Sequence, residues 1–530
     1  MLYATSATLC YPGNRTSLPL LLLVLTIGIG ACTTQETAST RPNIIYILAD
    51  DLGYGELGAY RQDKIETPNL DQLAQNGMLF TQHYTGAPVC APARYMLLTG
   101  QHSGHAYIRG NDEWDERGDV WNFRAVANDA GLEGQRPIPP TTLMLPQKLK
   151  EAGYTTGMVG KWGLGAPRSE SIPTKMGFDY FYGYNCQRQA HTYYPLHLWE
   201  NEERVFLAND TVPPNTILPE GANPNVPGSY TAYTQPEYAP DRMFDALTQF
   251  VARNRDTSFF LYWATPIPHV PLQAPERWIQ YYREKFGEEE PYLGNQGYFP
   301  HQYPRAAYAA MISYLDENIG TLIEQLKAEG IYENTLIFFT SDNGPTYAGG
   351  ADTEWFDSAG PFGEAYGRGK GFVYEGGIRV PLIASWPGHI APGSRSDHIS
   401  IHYDMLATLG DLTGYAVPAD TDGISFLPTL LGDGEQQPHD FLYWEYPEYG
   451  GQIAIRSGDW KLVRRHLKDE QPPTLELYNL ATDSTEQHNV AGQHLERLKA
   501  FADIFAREHA RAEVERFFIP VLERGLLVDQ

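Results

Sequence analysis

The sequence predicts an α/β fold: a large mixed, mainly parallel sheet flanked by helices, followed by a small antiparallel-sheet subdomain. Three observations predict it. Apolar runs of strand length alternate with segments of helical period through residues 41–430. Polar groups stand directly after four of those runs. Past about Leu430 the pattern changes to closely spaced short strands joined by tight turns.

Arg15 precedes the apolar run Leu18 to Ile29, which leads into Gly30-Ala31-Cys32. That run is short for a bilayer span and has the length of a signal-peptide core. Residues 1–32 therefore read as a lipoprotein-type signal peptide, with Cys32 lipidated or cleavage nearby, and 33–40 as a polar tether. The expected destination is outside the cytoplasm: a bacterial periplasm or a lipid anchor on the outer membrane. Asn43 to Ala49 (NIIYILA) is a buried-strand pattern. Thr67-Pro68 opens a helix that Gly77 can end. A helix over Pro146 to Ala152 precedes a strand over Tyr154 to Val159. Asp241 to Arg253 is helical ahead of the strand Ser258 to Ala264. The amphipathic Ala306 to Ala328 precedes the strand Thr335 to Thr340. In the C-terminal part, 431–530, strands are expected at Phe441 to Tyr446, Ile453 to Ser457, Trp460 to Arg464 and Leu475 to Tyr478. A helix follows from about Leu495 to Glu515.

Asp50-Asp51 follows the first strand, Lys161 the second, His269 the third and Asp342-Asn343 the fourth. Ligands of open α/β sheets bind at the carboxyl ends of the strands, so these four insertions read as one site. Asp50, Asp51, Asp342 and Asn343 offer only oxygen, which suits a hard cation, Ca²⁺ ahead of Mg²⁺. Taken singly, Asp50-Asp51 also fits a helix cap and Asp342-Asn343-Gly344 a turn.

Composition narrows the chemistry. The net charge is −26 with a pI near 4.9, which argues against nucleic acid and requires local cations wherever an anion is processed. Of four cysteines, only Cys90 and Cys186 lie beyond the leader, too few for a disulfide framework. Cys186 reads as an inert buried thiol. Cys90 opens Cys90-Ala91-Pro92-Ala93-Arg94, with Pro92 suited to a first helical turn. A thiol at a helix N-terminus, with Arg94 one turn on, is expected to favour its anionic form.

Cys90-Ala91-Pro92-Ala93-Arg94, completed by Thr99-Gly100, resembles the signature of the formylglycine-dependent sulfatases (type I, arylsulfatase A-like), of the bacterial polysaccharide type. The resemblance extends over Arg41-Pro42-Asn43, Asp50-Asp51-Leu52-Gly53, Gly153-Tyr154 to Trp162, Ser341-Asp342-Asn343-Gly344 and Glu375-Gly376-Gly377-Ile378-Arg379. It implies an alkaline-phosphatase-like fold and a sulfuric ester hydrolase. It also implies a maturation enzyme that converts Cys90 to formylglycine, and a Ca²⁺ ion on Asp50, Asp51, Asp342 and Asn343 that also meets position 90. By the same resemblance Arg94, Lys161 and Lys370 stabilise the sulfuryl oxygens and His269 protonates the leaving alcohol. An exported sulfatase of this type is expected to act on sulfated polysaccharides or oligosaccharides. The alternative is a phosphate or phosphonate ester hydrolase of the same superfamily, and from another class a catalytically dead carbohydrate-binding protein.

One departure stands out. The family pattern Gly-Lys-Trp-His reads Gly160-Lys161-Trp162-Gly163 here, which removes a histidine that aids sulfate release. His191 is the first candidate replacement and His105 the second, although His191 fits a structural role equally well. The surrounding Asn185 to Trp199 fits a sugar-binding cleft and, equally, a packed loop.

Overall fold

A computed structural model of the chain describes residues 41–363 and 366–524. The expected signal peptide and tether, residues 1–40, lie outside the described residues. Among the described residues no helix is long and apolar enough to cross a membrane.

Strands are numbered in chain order. At the centre of the main sheet lie Asn43–Ala49 (β1), Thr155–Lys161 (β4), Phe259–Ala264 (β8) and Thr335–Ser341 (β9), in the order β9-β1-β8-β4. All are parallel: Ile45 pairs with both Leu261 and Ile337, and Val159 pairs with Trp263. Every residue of β1, β8 and β9 is buried, so these strands read as unbroken apolar runs rather than as alternation. The sheet is extended on one side by Tyr180–Tyr184 (β5), His197–Glu200 (β6) and Glu203–Phe206 (β7). On the other side it is extended by Leu382–Ser385 (β10), Met78–Phe80 (β2) and Ser394–Ser396 (β11). β6, β7 and β10 run antiparallel to their neighbours, so the sheet is mixed at its flanks and parallel at its core. His83–Tyr84 (β3) and Ser400–Ile401 (β12) form a separate short pair.

Helices cover both faces. Pro304–Ala328 and Ala239–Asn254 pack on one cluster of buried side chains, with Leu315, Ile319 and Leu322 against Leu247 and Val251. Cys90–Thr99 and Leu145–Glu151 pack on the other, with Met96 and Leu149 among its members. The C-terminal sheet is antiparallel, Leu442–Tyr446 (β13), Gln452–Ser457 (β14), Trp460–Arg464 (β15) and Glu476–Asn479 (β16) in sequential order. Trp444 donates from its indole to the Thr85 carbonyl, and buried Arg109 bonds Glu445, tying this sheet to the loops around the Cys90 helix. The helix expected to reach Glu515 ends at Glu508. There Arg109 donates to the Ala510 carbonyl, and the chain turns to pin itself to the main body.

Candidate active site

The four strands whose ends carry polar groups are contiguous and parallel, so Asp342-Asn343, Asp50-Asp51, His269 and Lys161 arrive side by side along one sheet edge. Two further segments complete the site. Cys90 opens its helix with Val89 extended before it, and the Asn111 side chain accepts from the Ala91 N–H, satisfying one of the free amides of the first turn. Lys370 comes on a loop held by two backbone bonds, Lys370 N–H to the Pro345 carbonyl and Gly371 N–H to the Pro88 carbonyl. The second bond fixes Lys370 against the segment that delivers Cys90.

The contacts form one charge lattice. Asp50 accepts the Cys90 thiol at 3.3 Å on one oxygen and the Lys161 ammonium at 2.6 Å on the other. Arg94 is fully buried. It donates twice to Asp342 Oδ2, at 2.7 and 3.1 Å, approaches Asp50 at 3.2 Å and donates to the Lys161 carbonyl at 2.6 Å. Lys370 lies 2.7–2.8 Å from both oxygens of Asp51. Asn343 donates to Asp51 at 2.8 Å, and the Asp51 N–H donates to Asp342 at 3.1 Å. Asp51 holds a left-handed backbone, φ 68°, unusual outside glycine, so its position is over-determined by the surrounding bonds.

The electrostatics follow from burial and these pairs. Burial opposes ionisation of Asp50, but Lys161, His269, Arg94 and Lys370 outweigh it and hold the carboxyl well below the usual range. Burial raises Asp51, and Lys370 only partly offsets this. Burial and the neighbouring Asp50 push Asp342 up to about 6. Burial, then Asp50, also raises the Cys90 thiol well above its ordinary value. This overturns the expectation of an anionic thiol, because the favourable helix terminus is overridden by loss of water and an adjacent carboxylate.

Three converging buried carboxylates, two of them resisting ionisation, suit a hard cation. Asn343 Oδ1 is buried without a hydrogen-bond partner, as an oxygen kept for a cation would be. The residues fit a divalent cation on Asp50, Asp51, Asp342 and Asn343. Cys90 and His269 offer ligand atoms within 4.8 Å of the Asp50 and Asp51 oxygens, so position 90 lies at the same point.

A cavity of about 520 Å³ opens onto Cys90, Lys161, His191, His269 and Lys370. Arg94 does not reach it. It stands behind Asp50 and Asp342 as their counterion. Burial, then Lys370, lowers His269 well below its ordinary value. Its Nδ1 lies 2.6 Å from the Val270 carbonyl and therefore carries the proton, leaving Nε2 as an acceptor 3.7 Å from Asp51. His191 stacks on His269 with ring centres 5.4 Å apart, and Tyr298 packs edge-on against both. His105 does not join them. It pairs with Asp422 at 2.9 Å, stacks on His102 and lines a different cavity.

The structure also shows what stands near the missing histidine. Gly163 has φ +75°, and a Cβ there would meet Gln187 Oε1 at 3.4 Å. Gln187 lines the Cys90 cavity, and its Oε1 is buried without a partner. The turn Gln187–His191 thus sets Gln187 beside Gly163 and brings both Gln187 and His191 into the Cys90 cavity. The same cavity takes Asn111, Glu113, Trp121, Tyr298, Glu448, Tyr449 and Arg516 from segments far apart in sequence, and none carries a motif. Cys186 is buried and lies 3.9 Å from the Gly165 carbonyl, in keeping with an inert thiol.

Comparison with known proteins agrees with this site. Residues 42–415 match the Sulfatase family model, and 363–505 match that of N-sulphoglucosamine sulphohydrolase, C-terminal. Human arylsulfatase A is 32% identical over 502 residues, 89% of this chain and 86% of its own length. Mouse N-acetylgalactosamine-6-sulfatase is 32% identical over 490 residues, 89% of this chain and 80% of its own. The crystal structure of Ps i-CgsB with k-i-k-neocarrahexaose aligns with a TM-score of 0.68 and 26% identity, over 92% of this chain and 96% of that one. With the signature at Cys90, the sheet-edge carboxylates and these matches in agreement, the chain belongs to the sulfatase family and is a sulfuric ester hydrolase.

Proposed function

We propose that the enzyme removes sulfate from sugar units of sulfated polysaccharides or oligosaccharides, using a formylglycine made from Cys90 beside a Ca²⁺ ion held by Asp50, Asp51, Asp342 and Asn343. The observation that carries this is the cavity floor. Cys90, Lys161, His269 and Lys370 open together into one cavity whose walls mix aromatic, amide and carboxyl side chains, as sugar sites do. A formylglycine made at position 90 would supply a hydroxyl nucleophile, and a cation held by Asp50, Asp51, Asp342 and Asn343 would supply positive charge to an anionic ester.

The chain's own residues do the rest. Asp50 receives the thiol proton's hydrogen bond here and is placed to orient the nucleophilic group at position 90. Arg94 stands between Asp50 and Asp342 as the counterion they share. Lys161 and Lys370 face the cavity and neutralise an arriving sulfate. Before substrate arrives, His269 is neutral. An anionic ester raises its pKa, so Nε2 takes up a proton and passes it to the leaving alcohol oxygen. Relatives support the substrate class: one is named for N-acetylgalactosamine-6-sulfate hydrolysis and another is named in complex with a neocarrahexaose. The proposed setting is the periplasm or the outer membrane, through the leader and Cys32.

The test is sulfate release, by ion chromatography, from galactose 4-sulfate, N-acetylgalactosamine 6-sulfate and their oligosaccharides, beside p-nitrophenyl sulfate and p-nitrophenyl phosphate. Turnover of sulfated sugars above both aryl esters is expected. A preference for the phosphate ester would contradict the proposal and favour the phosphate or phosphonate hydrolase reading.

A further inference from the structure

A second cavity, of about 630 Å³, adjoins the first, and the two share Lys370 and Tyr449 in their walls. Its walls are a string of aromatic rings. Tyr347 and Tyr366 are 5.5 Å apart, Tyr366 and Phe372 6.1 Å, and Phe372 and Tyr449 5.4 Å. Tyr366 is 79% exposed and Tyr449 53%, more aromatic surface left in solvent than a packing role requires. Gln296 and Thr346 supply the polar groups. The loop that gives Gln296 to this cavity gives Tyr298 to the first, so one segment spans both.

The charges of this second cavity are distinctive. Among the described residues Lys370 is its one lining cation, and it is shared with the first cavity, which adds Lys161 and Arg516. The first cavity is rich in cations, whereas the second offers aromatic faces and neutral hydrogen-bonding groups. Aromatic faces stack on the C–H faces of a pyranose, and an unpaired sulfate placed there would be desolvated without a counterion.

We infer that this second cavity is a subsite for the sugar ring next to the sulfated one, and that it selects an uncharged ring. The inference rests on the carbohydrate reading above and deepens it. The enzyme acts on a saccharide of at least two rings, with the sulfated ring over Cys90 and the neutral ring against Tyr366 and Tyr449. In the intact polymer, a neighbour bearing its own sulfate is a poor substrate until another sulfatase has removed that group.

The experiment measures sulfate release from the matured enzyme with three kinds of probe. They are the monosaccharides galactose 4-sulfate and N-acetylgalactosamine 6-sulfate, disaccharides carrying the same unit beside an unsulfated ring, and disaccharides whose second ring is also sulfated. For a sulfated unit that is cleaved, kcat/KM is expected to rise about fivefold or more from monosaccharide to neutral disaccharide, and to fall again for the doubly sulfated one. In Tyr366→Ala the ratio of neutral disaccharide to monosaccharide should fall toward one, through KM rather than kcat. Tyr366 is exposed, so that variant keeps the fold. A length ratio near one in the wild type, or an unchanged ratio in Tyr366→Ala, overturns the subsite. Equal rates on the two disaccharides overturn its selectivity. Cleavage of p-nitrophenyl sulfate with no release from any saccharide overturns the carbohydrate reading itself, and the subsite with it.

Discussion

Replacing Arg94 by Met keeps the apolar stem but removes the guanidinium that binds Asp342, Asp50 and the Lys161 carbonyl. The cost has two main parts. The Lys161 carbonyl loses its donor in a dry site, which costs about 1–3 kcal/mol. Asp342 loses its nearest cation and keeps the Asp51 N–H. Its pKa is already about 6. A modest further rise is enough for it to take up a proton at neutral pH and escape further penalty. That limits its share to about 1 kcal/mol. The sum is about 3 kcal/mol at pH 7, in the range for buried pairs broken on one side. The sign with pH follows. A carboxyl whose folded pKa is raised destabilises as pH rises through the window between its unfolded and folded values. Below pH 6 Asp342 is protonated in both proteins, so the difference between them should shrink by about 1 kcal/mol on going from pH 7 to pH 5. The assay is urea unfolding in EGTA at both pH values. A loss under about 1 kcal/mol at pH 7, or one that grows on acidification, would refute the counterion role of Arg94.

Other expected outcomes follow from the same geometry. Calcium at about 100 times its dissociation constant should stabilise the EGTA-treated protein by about 2.7 kcal/mol in thermal unfolding, and Asn343→Leu should abolish most of that gain. An equal calcium response in Asn343→Leu would remove Asn343 from the ligand set. His191→Ala and Gln187→Ala should each lower kcat by about tenfold or more, with phosphate-free single-turnover traces showing the slow phase after alcohol release, whereas His105→Ala should change kcat by less than about twofold. Equal defects in His105→Ala and His191→Ala would contradict the placement. Glu56 is buried, accepts from the Gly53 N–H and the Tyr308 hydroxyl, and burial raises it from 4.5 to about 7. The folded state therefore holds a proton that the unfolded state releases, and stability falls by about 3 kcal/mol as pH rises from about 4.5 to 7. Glu56→Gln should lose that fall relative to wild type; parallel stability curves would show that Glu56 does not titrate there.

The core of the site is legible in the sequence because its residues are local to strand ends. Asp50-Asp51, Lys161, His269 and Asp342-Asn343 each stand at the exit of a buried run, and parallel strands bring their exits to one edge. The flanks of the sheet are not legible. Met78–Phe80 and Ser394–Ser396 span only three residues, too short for periodicity to register, and their strand pairing comes from tertiary contact with each other and with Leu382–Ser385. The cavity walls are hidden for another reason. Glu113, Tyr298, Glu448 and Arg516 lie on loops whose meeting depends on the whole fold. Local cues also mislead on chemical state. A helix terminus and a nearby arginine suggest an anionic Cys90, but the arginine belongs to Asp342, and Asp50 takes the thiol. Gln187 carries no motif that would set it beside His191. Its unpartnered oxygen facing Gly163 is visible only in three dimensions.

The central claim is that Cys90 does not remain a thiol. The direct measurement is the mass of the tryptic peptide of residues 65–94, after expression beside a formylglycine-generating maturation enzyme. The account predicts a peptide lighter by about 18 Da, the thiol sulfur and two hydrogens exchanged for one oxygen, together with sulfate release that Cys90→Ala abolishes. An unmodified Cys90 peptide from a preparation that still releases sulfate would contradict it.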